Sequence, residues 1–294
     1  MQDNFLITGG EGFIGRNLKQ HLIEQGNSVK TLDIVGNPDY KISVTSWEEL
    51  IKLKEDFDGI FHLAATTSPP QFEENPQAGF YVNVNGTLNI LEFAKLNSVP
   101  RVVLASSSST YGDQLSISSE SSLPDSYANL YPITKVLGEH LGRYYSLRNE
   151  VQCVSLRYFN TYGPDENSKG LYSSPISKFI NFARRGEPIV IYGDGKQKRD
   201  FIYVKDNVVA TYLAFKNGKP GESYNVGTGI STDFNSIALL IKKILDSNSK
   251  IVHVANPLKS YQMFTQADMN KTRSDLGFGP RYDLSSAIRE MIRN

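Results

Sequence analysis

A glycine-spaced turn close to the start of the chain, Thr8-Gly9-Gly10-Glu11-Gly12-Phe13-Ile14-Gly15, leaves few folds open. It follows an apolar run, Asn4–Ile7, and opens an amphipathic stretch, Phe13–Gln25. Glycines at 9, 12 and 15 permit a tight strand-to-helix turn whose backbone N–H groups can approach a pyrophosphate at the positive end of a helix, and Gly15 lets that helix lie close to the sheet. A glycine triplet alone also fits a turn without a ligand. Here a strand precedes it, a helix follows it, and Asp33 ends the next strand near the offset of roughly 20 residues expected of a ribose-binding carboxylate. A carboxylate there pairs with both ribose hydroxyls and repels a 2′-phosphate, and Ile34-Val35-Gly36 adds no arginine, so NAD is expected over NADP.

The rest of the first half repeats the alternation. Strand candidates at Val29–Asp33, Gly59–Leu63, Arg101–Ser106 and Gln152–Leu156 alternate with helix candidates at Trp47–Lys54, Pro76–Asn97 and Leu130–Leu147. Several strands are rich in Val and Ile, as strands buried on both faces should be. The pattern predicts an α/β protein: a Rossmann-type doubly wound parallel sheet over residues 1–163, with 196–228 returning to it. After Gly163 the elements shorten and turn clusters such as Gly193-Asp194-Gly195 break them up, so 164–195 and 229–294 are expected to form a smaller, discontinuous α/β lobe that binds substrate.

Composition narrows the partners. With 31 basic and 31 acidic side chains in 294 residues there is no nucleic-acid footprint. The single cysteine, Cys153, excludes a disulfide scaffold within the chain, and no apolar run approaches the roughly 18 residues that span a bilayer. A cytoplasmic protein without a membrane partner is the expectation. Four scattered histidines predict no metal site, and His62, in an apolar strand, is expected to be a satisfied core residue.

Oxidising an alcohol by hydride removal needs a base for the hydroxyl proton, and a tyrosine with a lysine one helical turn later can supply it. Three Tyr-x-x-x-Lys pairs occur: Tyr131/Lys135, Tyr192/Lys196 and Tyr212/Lys216. The second crosses two glycines and the third sits in the apolar stretch Val208–Phe215, where its tyrosine is expected to pack. Tyr131/Lys135 opens a helix, and Ser106–Ser109 lies at the carboxyl end of a buried strand, the edge where parallel sheets bind ligands. These two segments should converge.

Taken together, Thr8–Gly15, His62-Leu63-Ala64-Ala65, Asn83-Val84-Asn85-Gly86-Thr87, Ser106–Gly112, Tyr131–Lys135, Arg157–Asn160, Gly193–Asp206 and Asn225-Val226-Gly227 resemble the extended short-chain dehydrogenase/reductases, within them the NAD-dependent nucleotide-sugar epimerases and dehydratases such as the UDP-glucose 4-epimerases. The resemblance covers nearly the whole chain. It implies a catalytic triad of Ser107, Tyr131 and Lys135, with Lys135 holding the nicotinamide ribose and keeping Tyr131 partly ionised. It places Gly9, Gly12, Phe13, Ile14, Gly15, Asp33, Ile34, Ser43, Val44, Leu63, Ala64, Ala65, Asn83, Tyr158 and Phe159 on the NAD. Thr67, Ser107, Ser108, Asn160, Arg199 and Lys259 are implied on the nucleotide sugar, Lys259 standing in part for a phosphate arginine that this chain lacks. A homodimer through the two long helices is also implied.

The same resemblance separates the reactions. Dehydratases carry Asp-Glu directly after the catalytic Ser/Thr and decarboxylases usually a glutamate two residues after it; this chain has Ser108-Ser109. Epimerisation, which needs no further acid or base, is the expectation, most simply at C4 of a UDP-sugar through a 4-keto intermediate. A nucleotide-sugar dehydrogenase, reductase or dehydratase of the same family, or a non-catalytic NAD-binding sensor, are the alternatives. An intact Ser/Tyr/Lys set speaks against the sensor.

Overall fold

The computed structural model describes residues 2–67, 72, 74–124, 126–127, 129–166, 173–257 and 262–293. Its first half runs β1 (Asn4–Thr8), α1 (Phe13–Glu24), β2 (Ser28–Leu32), α2 (Trp47–Leu50), β3 (Gly59–His62), α3 (76–96), β4 (Arg101–Ser107), α4 (Leu130–Leu147) and β5 (Gln152–Tyr158). The second half continues with β6 (Asn160–Tyr162), α5 (Pro175–Arg184), β7 (Ile189–Tyr192), β8 (Lys198–Tyr203), α6 (Val204–Asn217), β9 (Ser223–Val226), β10 (Ser231–Asp233), α7 (Phe234–Leu245), β11 (Ile251–Val254) and α8 (Leu284–Arg293).

The central sheet is parallel, in the order β2-β1-β3-β4-β5-β9. Alternation along β1 explains why both faces are covered. Phe5 and Ile7 point into one apolar cluster with Leu18 and Leu22 of α1 and Val208 and Ala210 of α6. Leu6 points the other way, among Ile60, Ile90, Leu91 and Phe93. All are fully or almost fully buried, and burying each large apolar side chain contributes roughly 1.5–3 kcal/mol. The chain leaves β1 toward β2 on one side and returns as β3 on the other. That reversal opens a crevice beyond the carboxyl ends of β1 and β3.

Two helices depart from the sequence reading. The stretch expected to be helical to Lys54 leaves helical geometry after Leu50. The stretch from Pro76 starts as expected, with Pro76 in its first turn and the Asn75 side chain accepting the Ala78 N–H at 3.0 Å. It then widens to a π-turn at Tyr81–Asn85 before resuming at Gly86–Leu96. The wider turn carries Asn83 inward, where its amide accepts the Thr66 N–H at 2.8 Å and donates to the Thr66 carbonyl at 3.0 Å. Irregular turns of this kind are stable when a side chain gains such partners.

β9 comes from the second half of the chain yet completes the central sheet beside β5. The remaining strands form two small sheets, β10-β8-β6 and β11-β7. A buried carboxylate joins them to the sheet edge: Asp200 on β8 accepts N–H groups from Thr228, Gly229 and Ala267 at 2.8, 2.9 and 3.0 Å and the Thr228 hydroxyl at 2.7 Å. Among the described residues no helix is long and apolar enough to cross a membrane.

Candidate active site

The glycine turn is shaped as its spacing predicts. Gly9 has φ +71° and donates its N–H to the Leu32 carbonyl at 2.8 Å. A Cβ on Gly15 would lie 2.2 Å from the Gly9 carbonyl oxygen, and one on Gly9 only 2.7 Å from the Ala64 nitrogen. Only glycine fits at either position. Gly12 precedes α1 without a side-chain cap, as suits a helix start that receives an anion. At the end of β2 the Asp33 carboxylate is fixed by the N–H groups of Glu11, Ile34 and Val35 at 3.0, 2.7 and 3.2 Å.

From Asp33 a cavity of about 560 Å³ runs over this turn and the ends of β1 and β3 to the end of β4 and the start of α4. Its wall holds Gly9, Gly12, Phe13, Ile14, Gly15, Asp33, Ile34, Ser43, Val44, Leu63, Ala64, Ala65, Thr67, Ser107, Tyr131, Lys135, Tyr158 and Phe159. A carboxylate at one end, a cradle that any Cβ would fill in the middle and a hydroxyl–phenol–ammonium cluster at the other suit a dinucleotide laid full length, so the residues present fit NAD.

At the far end Asn129 caps α4, its side chain accepting the Tyr131 N–H at 3.0 Å, and this presents the first turn to the cavity. The Ser107 side chain faces the Tyr131 phenol and favours its ionised form. Burial pushes that phenol up to about 12, and Ser107 only partly opposes the shift. The Lys135 ammonium donates to the Ala105 carbonyl at 2.9 Å and stands 5.8 Å from the Tyr131 ring centre. Burial draws Lys135 down to about 8, with Glu139 opposing. In the chain by itself the phenol and the ammonium are each shifted toward their neutral forms by burial. The ammonium is directed at a backbone carbonyl, and desolvation dominates at the phenol.

Several implied contacts lie outside the cavity wall. Asn83 is buried behind it, bracing Thr66 and donating to Thr134 at 3.0 Å. Ser108 is buried in the short 3-10 turn Ser108–Tyr111. Asn160 donates to the Asp200 carbonyl and to Thr265, each at 3.2 Å. Arg199 is buried on β8, donating to the carbonyls of Lys198, at 2.9 Å, and Gln262. Lys259 lies outside the described residues.

His62 bridges Thr8 at 2.7 Å and Thr87 at 3.1 Å, and burial and the lysine's charge drive its ring down to about 3, so it is a neutral core residue. Tyr212 packs edge-on against Phe5 and His21. Tyr192 ends β7, outside any helix. Reading the sequence missed Leu32, Val35, Ile42, Thr66, Val82, Ala105, Ser106 and Thr161 in the cavity wall. Ala105 and Ser106 could have been found, since they precede Ser107 on the same strand end. Ile42 and Val82 come from a loop and a helix that carry no local signal.

Fold and site together define an NAD-dependent enzyme of the extended short-chain dehydrogenase type. Residues 5–227 match the NAD dependent epimerase/dehydratase family, and the chain belongs to that family. A UDP-N-acetyl-alpha-D-glucosaminuronate decarboxylase of Bacillus cytotoxicus is 32% identical over 320 residues, covering 100% of this chain and 98% of the relative. Among solved structures, UDP-glucose 4-epimerase of Thermotoga maritima with UDP-glucose superposes with a TM-score of 0.92 at 28% identity, covering 99% of this chain and 97% of that one. UDP-N-acetylglucosamine 4-epimerase of Methanobrevibacter ruminantium M1, in complex with UDP-N-acetylmuramic acid, gives 0.91 at 29% identity, with 99% and 97% covered.

Proposed function

We propose that the protein epimerises a nucleotide-activated hexose, a UDP-sugar at C4, through a transient 4-keto sugar. The observation that carries this reading is the turn after Ser107. The relatives divide between decarboxylation and epimerisation, and a decarboxylase or dehydratase of this family would carry carboxylates at Ser108 or Ser109. Both are serines, and the Ser109 hydroxyl is buried without a hydrogen-bond partner. Among the described residues no carboxylate lines the cavity beside the triad to lead the keto sugar elsewhere.

In this mechanism Ser107 holds the sugar 4-hydroxyl toward Tyr131, which takes its proton while the C4 hydrogen leaves as hydride. Bound NAD supplies the hydride acceptor and, in its oxidised form, a positive ring charge that favours the phenolate. Once the keto sugar has turned over in the site, Tyr131 would return the proton to the 4-oxygen. Lys135, anchored on the Ala105 carbonyl, stands one helical turn from the phenol. Asn160 and Arg199 are the proposed contacts to the diphosphate, the guanidinium fork suiting paired oxygens.

Incubation with UDP-, dTDP- and GDP-hexoses, without added cofactor, tests the reading. One hexose should equilibrate with its 4-epimer and leave no accumulating NADH. Loss of carbon dioxide from a UDP-hexuronic acid, loss of water, or stoichiometric NADH would each overturn it.

We further propose a homodimer. α3 and α4 lie side by side and leave Tyr81, Leu88, Leu96, Tyr144 and Leu147 exposed, an apolar face that a second copy would cover about a two-fold axis. Sedimentation at micromolar concentration should give twice the chain mass; a monomer there would contradict the proposal.

A further inference from the structure

One turn past the lysine, α4 carries a carboxylate that the mechanism above does not use. The Glu139 side chain is 10% exposed. Three strands satisfy it: Ser106 on β4 donates to Oε1, Arg157 on β5 donates Nε–H to Oε1 at 2.9 Å and Nη2–H to Oε2 at 2.7 Å, and Ser223 on β9 donates to Oε2 at 3.1 Å. Ser106 sits between Ala105, whose carbonyl holds the Lys135 ammonium, and Ser107. Lys135 and Glu139 share the wall of a chamber of about 10 Å³, room for a single water molecule. Beyond the carboxylate, Arg157 donates to the Glu120 carbonyl at 3.1 Å and lies 4.8 Å from the centre of the Tyr111 ring, in the turn that follows Ser107.

We propose that Glu139 is a positioning residue for the oxidation at Tyr131: it fixes the strand end that anchors Lys135 and Ser107, and it is the counter-charge to the Lys135 ammonium. This rests on the epimerase reading of the same site. The groups facing Lys135 are Tyr131 and Glu139 from its own helix, His62 from β3, the Ala105 carbonyl and Ser106 from β4, and Asn83 and Thr87 from α3, with Arg157 of β5 behind Glu139. His62 is neutral at working pH, so Glu139 is the anion of the set. Removing its charge leaves burial unopposed and lets Lys135 lose its proton at lower pH. A purely structural ion pair would tie α4 to β5 without this effect.

The test follows the Lys135 Cε signal of ¹³C-lysine-labelled protein through a pH titration, the signal being assigned by its loss in Lys135→Arg. In Glu139→Gln the midpoint should fall by about one pH unit. The alkaline limb of turnover should fall with it, and kcat should drop more than KM rises. Because that variant leaves Arg157 buried without its partner, the double variant Glu139→Gln/Arg157→Met, which removes both charges, keeps the comparison if the single one fails to fold. Its midpoint should also lie below that of the parent, since Glu139 is the nearer charge. Overlaying titrations of parent and double variant, with equal turnover, would reduce Glu139 to a structural tie and overturn the proposal. Should the parent turn over no nucleotide sugar, the epimerase reading falls, while the lysine titration still decides whether Glu139 sets the charge at Lys135.

Discussion

Tyr131→Phe should lower turnover by roughly 10²–10⁴-fold, the usual contribution of a positioned acid–base group, while the protein stays folded and retains its NAD. The expectation follows from what the phenol touches. It faces the cavity with Ser107, and its ring packs edge-on against Phe72 at 5.8 Å, a contact that phenylalanine preserves. The rest of the cavity wall, from Asp33 to Phe159, is untouched by the change. Rates of epimer formation with the active hexose, together with nicotinamide absorbance of the purified variant, would check both halves. An undiminished rate would remove Tyr131 as the base, and neither other tyrosine would replace it readily. Tyr212 is packed among aromatic rings, and Tyr192 is outside the cavity wall.

Asp200→Ala should cost about 3–5 kcal/mol, as expected when several buried donors lose their common acceptor. That corresponds to a fall in melting temperature of about 5–8 °C for a chain of this size. Asp200 is fully buried, and the variant would leave three N–H groups and a hydroxyl without their acceptor. It would also open a gap beside Gly227, where a Cβ would come within 2.8 Å of the carboxylate. Thermal denaturation of Asp200→Ala against Asp194→Ala, a change to an exposed residue paired with Lys196, is the comparison. Coincident melting curves for the two variants would contradict this account of how the second half of the chain holds to the central sheet.

The residues whose chemistry depends on neighbours in sequence were legible from the order of amino acids alone. The strand, glycine turn and helix of residues 4–24 form a local unit, because the steric demand on Gly15 comes from the backbone of Gly9 and Gly10 in the same turn. Tyr131 and Lys135 share one helix, and Ser107 ends one strand, so spacing and polarity located all three. The parallel sheet followed from apolar runs too regular for any half-solvated arrangement.

Other features could be decided only by contacts between distant segments. The π-turn at Asn83 exists because Thr66, 17 residues earlier, offers both backbone groups to its amide. The stretch 196–228 divides between two sheets, β9 pairing with β5 in the central one and β8 with β6 and β10 in another, a partition that no local pattern shows. The protonation of the triad is likewise tertiary. Sequence placed a tyrosine, a lysine and a serine together, but burial of the phenol and a carbonyl 30 residues from the lysine set where their protons reside. Desolvation and long-range hydrogen bonding depend on what the whole chain packs around a group, whereas turn geometry and helical spacing depend on a few neighbours. For that reason the sequence determined the cofactor cradle and the reacting groups, and the tertiary structure decided their charge, their bracing by Asn83 and Glu139, and the wall that encloses them.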